Sequence, residues 1–409
     1  MLRFLTAGES HGRSLVVIVD GLPAGLCVDA DALTRDLRRR QHGYGRGRRM
    51  AIESDAAVVA AGVRHGRTTG APVAVTIENR DWVNWAFTMH PDEHPPSGAG
   101  GANRGPVTRP RPGHADLAGA IKYGHADIRD VLERASARET AARVAAGALA
   151  RQVLGQVGIA VASHVISIGP ERADARNASF DDIASLADDS PTRCVDDAAA
   201  ARMIAAIDAA REAGDTLGGV FEVAARGVPA GLGSYAQWDR RLDGRLAQAL
   251  MSIPAIKAVS IGIGAESARM RGSQVHDEIL PPAGSSPGVH ASTPAERPTN
   301  RAGGLEGGVT NGQEVRVSAS MKPIATLMTP LRSIDLATGV EAPAAIERSD
   351  VCAVPAAAVV GEAMVALVLA DAFLERFGGD SIDEVRGRYE DWQRKVGERF
   401  ARPRESGTS

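Results

Sequence analysis

A histidine in a glycine-flanked loop is the first residue of the chain that could do chemistry. His11 lies in the motif GESHG at 8–12, just ahead of a β-branched run at 15–19. Glycine permits backbone conformations that other residues avoid and lets a ligand approach closely. Imidazole gains or loses a proton near neutral pH. His11 is therefore a candidate acid or base, and a solvated turn residue is the alternative.

Arginines are concentrated in one stretch, LRRRQHGYGRGRR at 37–49, which holds six of them. Guanidinium groups bind phosphate and carboxylate through paired hydrogen bonds, and the interleaved glycines would let the backbone fold around a small anion. A solvated helix end and a nucleic-acid-binding stretch are the alternatives. The formal net charge of −3 and the 4% aromatic content disfavour nucleic acid as the partner.

Two further motifs of the first half combine cations with hydroxyl or acidic groups. RPRPGHAD at 109–116 presents His114 on a stiff, proline-rich segment, where Asp116 either orients His114 or caps a helix. RASARE at 134–139 begins an alanine-rich helix. Ser136 and Glu139 have the spacing of a capping box, and the same helix start could hold a phosphate.

Three motifs of the second half have similar potential. NRAGGLEGG at 300–308 could wrap a flat ligand, and KPIAT at 322–326 puts a cation and a hydroxyl after a predicted strand. RSD at 348–350 sets a carboxylate beside an arginine. Asp350 is therefore either a structural partner of Arg348 or a general base.

The elements that must position these residues form two similar halves. Residues 8–26 align with residues 214–232 without a gap, and each copy reads as loop, strand, Gly-x-Pro-Ala-Gly turn and helix. Leu217 stands where the first copy has His11, so only one half is expected to keep the chemistry. We predict a single α+β domain over 1–409 with halves of about 1–206 and 207–409, chance similarity being the alternative.

Periodicity adds strands at 73–77, 161–168, 220–224, 258–263 and 314–319, and helices at 137–157, 198–212 and 356–377. Long loops are expected at 88–113 and 281–304. Glu362 interrupts the apolar run at 356–370, which is shorter than the ~20 residues of a membrane span, so we predict a core helix. The cysteines, at 27, 194 and 352, have no metal-ligand spacing and suit a reducing cytoplasm.

Taken together, the motifs resemble those of the chorismate synthases over essentially the whole chain. The matching motifs are GESHG at 8–12, RRRxxGYGR at 38–46, RPGHAD at 111–116, RASARET at 134–140, GGLEGG at 303–308, KPIAT at 322–326 and RSDVCAVPA at 348–356. The chain is similar to the monofunctional bacterial form, since no added flavin-reductase domain is evident.

This resemblance implies an activity, a fold and partners. The reaction is anti-1,4-elimination of phosphate from 5-enolpyruvylshikimate 3-phosphate to give chorismate, the last step of the shikimate pathway, with reduced FMN required. NADPH is a candidate reductant and a separate flavin reductase a candidate partner. The implied fold is a β-α-β sandwich with long helices between the sheets, in a cytoplasmic homotetramer. No nucleic acid, membrane or metal is expected.

The resemblance also implies roles for single residues. His11 protonates the departing phosphate, His114 protonates or balances the reduced flavin, Asp350 assists proton removal, and Ser10 supports them. Arg40 and Arg46 match positions that hold NADP or, equally, substrate anions. The implied FMN contacts are Arg134, Ala135, Ser136, Ala255, Gly308, Lys322, Pro323, Ile324, Ala325, Thr326 and Arg348.

Two departures from the family pattern and two rival functions complete the expectations. Pro254 replaces the usual Asn or Gln, and Ala325 replaces a usual serine, so weaker retention of FMN is expected.

Two rival functions remain. An RNA-binding protein would use the arginine-rich stretch at 37–49, and its affinity for RNA would fall steeply as the salt concentration rises. An NADPH-dependent flavin reductase would be expected to carry a Gly-x-Gly-x-x-Gly strand–helix unit, which is not evident.

Overall fold

The computed structural model describes residues 1–47, 54–93, 95, 100–174, 178–281, 295–347 and 349–400. The strands are β1 (Arg3–Ala7), β2 (Ser14–Asp20), β3 (Ala57–Ala61), β4 (Val63–Arg64), β5 (Arg67–Thr68), β6 (Val73–Glu78), β7 (Ala160–Ile168), β8 (Glu171–Arg172), β9 (Gly219–Arg226), β10 (Ile256–Ile261), β11 (Leu305–Glu306), β12 (Val309–Thr310), β13 (Val315–Met321), β14 (Arg332–Asp335) and β15 (Val340–Pro343). The α-helices are α1 (Ala30–Gln41), α2 (Asp116–Tyr123), α3 (Arg129–Arg134), α4 (Thr140–Gly155), α5 (Phe180–Ala184), α6 (Asp197–Glu212), α7 (Leu242–Met251), α8 (Gly272–Val275), α9 (Val354–Phe377) and α10 (Ile382–Phe400).

Two antiparallel sheets enclose a layer of helices. One sheet has the strand order β1-β2-β6-β3, and the other has the order β10-β13-β9-β7-β8. Helix α4 packs on β2 and β6, α9 packs on β7 and β9, and α4 and α9 pack on each other between the sheets. The predicted α+β class and β-α-β sandwich with long central helices are confirmed.

The two sheets share one strand order, since β1-β2-β6-β3 corresponds to β7-β9-β13-β10. The Gly-x-Pro-Ala-Gly turns also match in detail. Thr68 Oγ1 donates to the Pro23 carbonyl and accepts from the Leu26 amide, and Thr310 does the same for Pro229 and Leu232. We therefore propose that the chain is one domain built from two repeats.

Helix α9 is apolar on nearly every side because sheet and helices surround it. Pro355 lies in its first turn, where a missing amide donor costs nothing. The helix has the length and composition of a membrane span, but 89% of its most apolar window is buried inside the protein. This burial supports the prediction of a core helix.

Two predicted elements differ from the structure at their ends. The helix expected at 137–157 begins with a 3₁₀ turn, Ala137–Glu139, before α4. Its capping box does not form, because the Glu139 carboxylate accepts from Thr6 and Arg143 instead. Strand β10 ends two residues earlier than predicted, where Gly262 adopts a positive φ of 57°.

The central charge of the helical layer is Glu362, which is fully buried on α9. Arg39 and Arg151 each donate to its carboxylate at 2.8 Å, and Arg193 donates at 3.4 Å. Ser163 donates a further hydrogen bond at 2.7 Å. Burial alone would raise the pKa of Glu362, but the arginines outweigh burial and lower it to about 2.

Replacing Glu362 with Gln is expected to lower the free energy of unfolding by about 3–5 kcal/mol, because buried guanidinium groups lose their counter-charge. Chemical denaturation measures the change. Glu375→Gln, which removes exposed ion pairs with Arg240 and Arg245, is the control and should cost at most about 1 kcal/mol. Because folding lowers the pKa of Glu362, its stabilisation is complete above an unfolded pKa near 4.5 and is lost as the pH falls towards 2. Equal effects of the two variants would contradict this account.

Candidate active site

A cavity of about 650 Å³ lies where the sequence motifs converge. This volume is typical of a small-molecule site. Its cationic wall consists of Arg40, Arg46, Arg104, Arg111, Arg129, Arg138 and Lys322. The acidic residues that line it are Glu347 and Asp350. A cavity with this balance of charge is suited to a ligand with several negative groups.

Most of the predicted site residues line this one cavity. They are Ser10, His11, Arg40, Arg46, His114, Ala135, Ser136, Ala255, Lys322, Pro323, Ile324, Ala325, Thr326 and Asp350. Of the other predicted residues, Arg134 and Gly308 are not among its lining. Arg134 donates to the carbonyls of Thr6 and Gly8, Gly308 lies beside Arg241 at the start of α7, and Arg348 is outside the described residues.

His11 is held in the loop between β1 and β2 by contacts from two directions. Its Nδ1 lies 2.8 Å from Glu133 Oε1, and its ring stacks on Trp85 with centroids 3.9 Å apart. Asn79 donates to the carbonyls of Glu9 and Gly12 and so fixes the loop. The loop histidine is therefore an ordered cavity residue, and the alternative of a solvated turn is excluded.

Gly8 is required by the path of this loop. It has a φ of +107°, and a Cβ added there would lie 2.4 Å from the Ser14 carbonyl oxygen. Side chains rarely adopt such a backbone conformation. The glycine before His11 therefore serves the close packing of the loop against β2.

His114 belongs to a charged cluster with Asp116 and Arg111. Its Nδ1 lies 2.5 Å from Asp116 Oδ1, and Arg111 Nε donates to Asp116 Oδ2 at 2.8 Å. Arg111 also donates to Thr326 Oγ1, which joins the RPGHAD and KPIAT motifs. Burial would raise the pKa of Asp116, but the bonds from His114 and Arg111 hold it well below its usual range. Asp116 thus carries a negative charge that orients His114.

Asp350 anchors the glycine-rich arginine loop. Its Oδ1 accepts from the Gly47 amide at 2.7 Å, and its Oδ2 lies 3.0 Å from Arg46 Nη1. The Gly45 carbonyl accepts from the Val351 amide at 2.7 Å. The described part of this loop packs against the protein, since Gly45 is buried and the Arg46 side chain is only 12% exposed.

Arg40 and Arg138 both pair with Asp55 behind the cavity wall. Burial and the nearby Arg138 and Arg46 lower the pKa of Arg40 to about 10, against the opposing effects of Asp55 and Asp350. Arg39 and Arg40 are 8% and 3% exposed, so neither offers its charge to nucleic acid at the surface.

One wall of the cavity is apolar. The first turns of α9 contribute Ala353, Ala356, Ala357 and Val360, and other parts of the chain add Leu132, Ile253 and Met321. Small side chains on α9 leave a smooth surface beside the cationic wall. A flat aromatic ring with an anionic tail would fit this combination of surfaces.

Sequence reasoning missed several residues that shape the site, namely Trp85, Arg104, Arg129 and Glu133. Trp85 lies between His11 and the guanidinium of Arg104, which is 4.0 Å from its ring. Glu133 directly precedes the RASARET motif, and that position was a usable signal. Arg104 lies in glycine-rich sequence, and neither Arg104 nor Trp85 belongs to a stretch with helical or strand periodicity.

The described part of the chain has no group of three or more His, Cys, Asp or Glu side chains that could hold a metal ion. Cys27, Cys194 and Cys352 are free thiols. Burial raises the pKa of Cys352 to about 11, so this cysteine is not a thiolate at neutral pH. The ionisable side chains that line the cavity belong to histidines, carboxylates, arginines and one lysine.

Comparison with known proteins places these features in one family. The family model described as chorismate synthase matches residues 2–374. Chorismate synthase of Symbiobacterium thermophilum is 57% identical over 97% of this chain and 100% of its own length. That of Mycobacterium avium is 54% identical over 100% of both chains. A crystal structure of chorismate synthase matches with a TM-score of 0.75 and 43% identity, covering 97% of this chain and 98% of the other.

Proposed function

The chain belongs to the chorismate synthase family, lyases of the shikimate pathway that remove phosphate from 5-enolpyruvylshikimate 3-phosphate, and we propose that its cavity makes chorismate with reduced FMN bound. The observation that carries the proposal is the convergence of His11, His114 and Asp350 on one cationic cavity. The substrate has a phosphate and two carboxylates, which need such a wall of arginines.

The cofactor proposal is supported by the fit between the cavity surfaces and FMN. Ala135, Ser136, Ala255 and residues 322–326 line the side that would hold it, and the apolar face of α9 suits the ring. Reduced FMN, when bound, supplies electrons transiently and is returned unchanged, since the elimination has no net redox change. Ala325 offers no hydroxyl there, so weaker FMN retention remains our expectation.

We assign the proton transfers of the elimination to different side chains of this protein. His11 Nε2 gives a proton to the departing phosphate, which neutralises charge on the leaving group. The Asp350 carboxylate assists removal of the proton from C6. His114, oriented by Asp116, supplies or balances positive charge beside the reduced cofactor. Ser10 and Ser136, whose hydroxyls are 3.2 Å apart, support this side of the cavity.

Arg40 and Arg46 are proposed to bind substrate anions or, alternatively, NADPH as reductant. We further propose a cytoplasmic homotetramer that obtains reduced FMN from a separate flavin reductase. Residues Arg134, Gly308 and Arg348 stay candidates for FMN contact by family resemblance alone.

Product identity tests the function. Under anaerobic conditions with reduced FMN, the protein should convert 5-enolpyruvylshikimate 3-phosphate to chorismate and inorganic phosphate in equal amounts, measured by chromatography and a phosphate assay. Phosphate without chorismate would indicate a phosphatase and overturn the proposal. NADPH oxidation with flavin alone would favour a flavin reductase.

Replacing Arg46 with Ala is expected to raise KM roughly 10–100-fold, since a hydrogen bond to a charged group is worth about 1.5–3 kcal/mol. Steady-state kinetics at several salt concentrations measure the effect. Arg38→Ala removes an exposed arginine of α1 that is not among the cavity lining, and should leave KM within about two-fold. An unchanged KM for Arg46→Ala would contradict anion binding by this loop.

A further inference from the structure

We propose that Glu133 is a positioning residue, which fixes the ring of His11 so that Nε2 can transfer a proton, without itself touching the substrate. The proposal rests on the assignment of His11 as the acid. It concerns a carboxylate that is 122 residues from its partner in sequence.

Glu133 holds both the backbone and the ring of His11. Its Oε2 accepts from the His11 amide at 2.8 Å, and Nδ1 lies 2.8 Å from Oε1 and 3.0 Å from Oε2. The Glu133 carbonyl also accepts from the Ser10 amide at 3.0 Å. Because the Glu133 side chain is fully buried, water does not compete for these bonds.

Trp85 fixes the face of the same ring. The two rings are stacked with an angle of 19° between their planes. Trp85 is held in turn by its Nε1 donating to Asp81 at 3.2 Å and by Arg104 over the indole. With one edge on Glu133 and one face on Trp85, the imidazole has a single orientation.

This orientation decides which nitrogen acts. Nδ1 is engaged by Glu133, and Nε2 has no hydrogen-bond partner among the described residues. Nε2 is therefore the nitrogen available to a ligand in the cavity that His11 lines. A carboxylate on Nδ1 keeps a proton there and stabilises the imidazolium when Nε2 is also protonated.

Charged groups other than Glu133 contact the residues that hold the ring. Arg129 Nη1 is 3.9 Å from Glu133 Oε1, and its Nε and Nη1 have no hydrogen-bond partner among the described residues. Arg104 lies over the Trp85 ring, and Asp81 accepts from Trp85 Nε1. Glu133 is the carboxylate in direct contact with the ring, at 2.8 Å from Nδ1, and Coulomb interaction is strongest at short distance.

If Glu133 had a purely structural role, replacing it would give a different result from the one that the positioning role predicts. If Glu133 only tied down the loop at 8–12, an amide in its place would keep the backbone bonds and the pH dependence would not move. In the positioning role, Glu133→Gln removes the negative charge and allows the amide to donate to Nδ1. Both changes weaken the acid at Nε2, and they do so most strongly at high pH.

The test measures the pH dependence of kcat in Glu133→Gln, with His11→Ala as the reference for loss of the acid. In Glu133→Gln the pH profile of kcat should shift to lower pH. Turnover at neutral pH should fall on the order of 10²-fold and recover in part at lower pH, with FMN affinity within a few-fold. Glu139→Gln, whose carboxylate binds Thr6 and Arg143, is the matched control and should keep the wild-type pH profile.

An unshifted pH profile of kcat in Glu133→Gln overturns the positioning role, whatever the turnover at neutral pH. Wild-type turnover in His11→Ala instead overturns the assignment of His11, so the two failures are distinguishable. If Glu133→Gln does not fold, Glu133→Asp keeps the charge but withdraws it from Nδ1. A smaller shift of the pH profile in the same direction with reduced turnover then supports the proposal, and an unchanged pH profile overturns it.

Discussion

Replacement of His11 by alanine is expected to lower kcat roughly 10²–10⁴-fold, the usual contribution of a positioned acid or base. Phosphate is a poor leaving group unless its developing charge is neutralised, and His11 is the proposed donor of that proton. FMN binding should survive, because His11 is not among the residues proposed to hold FMN. Anaerobic assays of phosphate release and flavin titration measure the two properties separately.

The matched control for His11 is His125. His125 pairs with Asp130 near the surface and is not among the cavity lining. His125→Ala should therefore keep kcat within about two-fold. Near-normal turnover in His11→Ala would contradict the acid role of His11 and indicate that the GESHG motif is purely structural.

Asp350→Asn is expected to lower kcat on the order of 10²–10³-fold, within the usual range for a proton-transfer group. Asparagine keeps the hydrogen bond from the Gly47 amide but loses the charge that pairs with Arg46 and assists proton removal. Both the base and the anchor of the arginine loop are affected, so KM should also rise. Steady-state kinetics and flavin titration of the variant measure these changes.

The catalytic and structural roles of Asp350 give different outcomes. If Asp350 assists proton removal, the variant stays folded, binds FMN within a few-fold and loses kcat. If Asp350→Asn loses FMN binding and assembly together, the residue is only a structural partner and the catalytic assignment is wrong. Asp371→Asn, which removes a partner of Arg245 away from the cavity, controls for loss of an ion pair.

The sequence predicted more of the fold than of the contacts inside the site. Strand β6 and helix α9 follow from local apolar patterning, and the repeat at residues 8 and 214 anticipated the shared strand order. The capping box at Ser136 was wrong, because Glu139 finds tertiary partners in Thr6 and Arg143. The spacing of Ser136 and Glu139 in the sequence does not show which tertiary contacts compete with the capping box.

The pairing of site residues was beyond sequence reasoning for a related reason. Asp350 was predicted to pair with Arg348, which lies outside the described residues, or to act as a base. The structure adds contacts that the sequence did not indicate, with Arg46 and Gly47 about 300 residues earlier. Glu133 directly precedes the RASARET motif, but nothing in the sequence indicates that it contacts both the backbone and ring of His11. Contacts across the helical layer depend on the whole fold and carry no local pattern.

The arginine stretch at 37–49 also divides in a way that composition cannot show. Arg39 turns inward to Glu362, Arg40 borders the cavity above Asp55, and Arg46 reaches Asp350. One charged run thus serves the core and the ligand site. Arg39 and Arg40 contact different sites because neighbouring residues on a helix such as α1 face different sides.

The central claim is that this cavity performs an elimination in which reduced FMN is required but not consumed. The most direct measurement is phosphate release under anaerobic conditions with FMN limiting and 5-enolpyruvylshikimate 3-phosphate in excess. The account predicts phosphate in many-fold excess over reduced FMN, with the flavin spectrum still reduced at the end and no release with oxidised FMN. Release without flavin, or phosphate that stops at one equivalent as the flavin becomes oxidised, would contradict it.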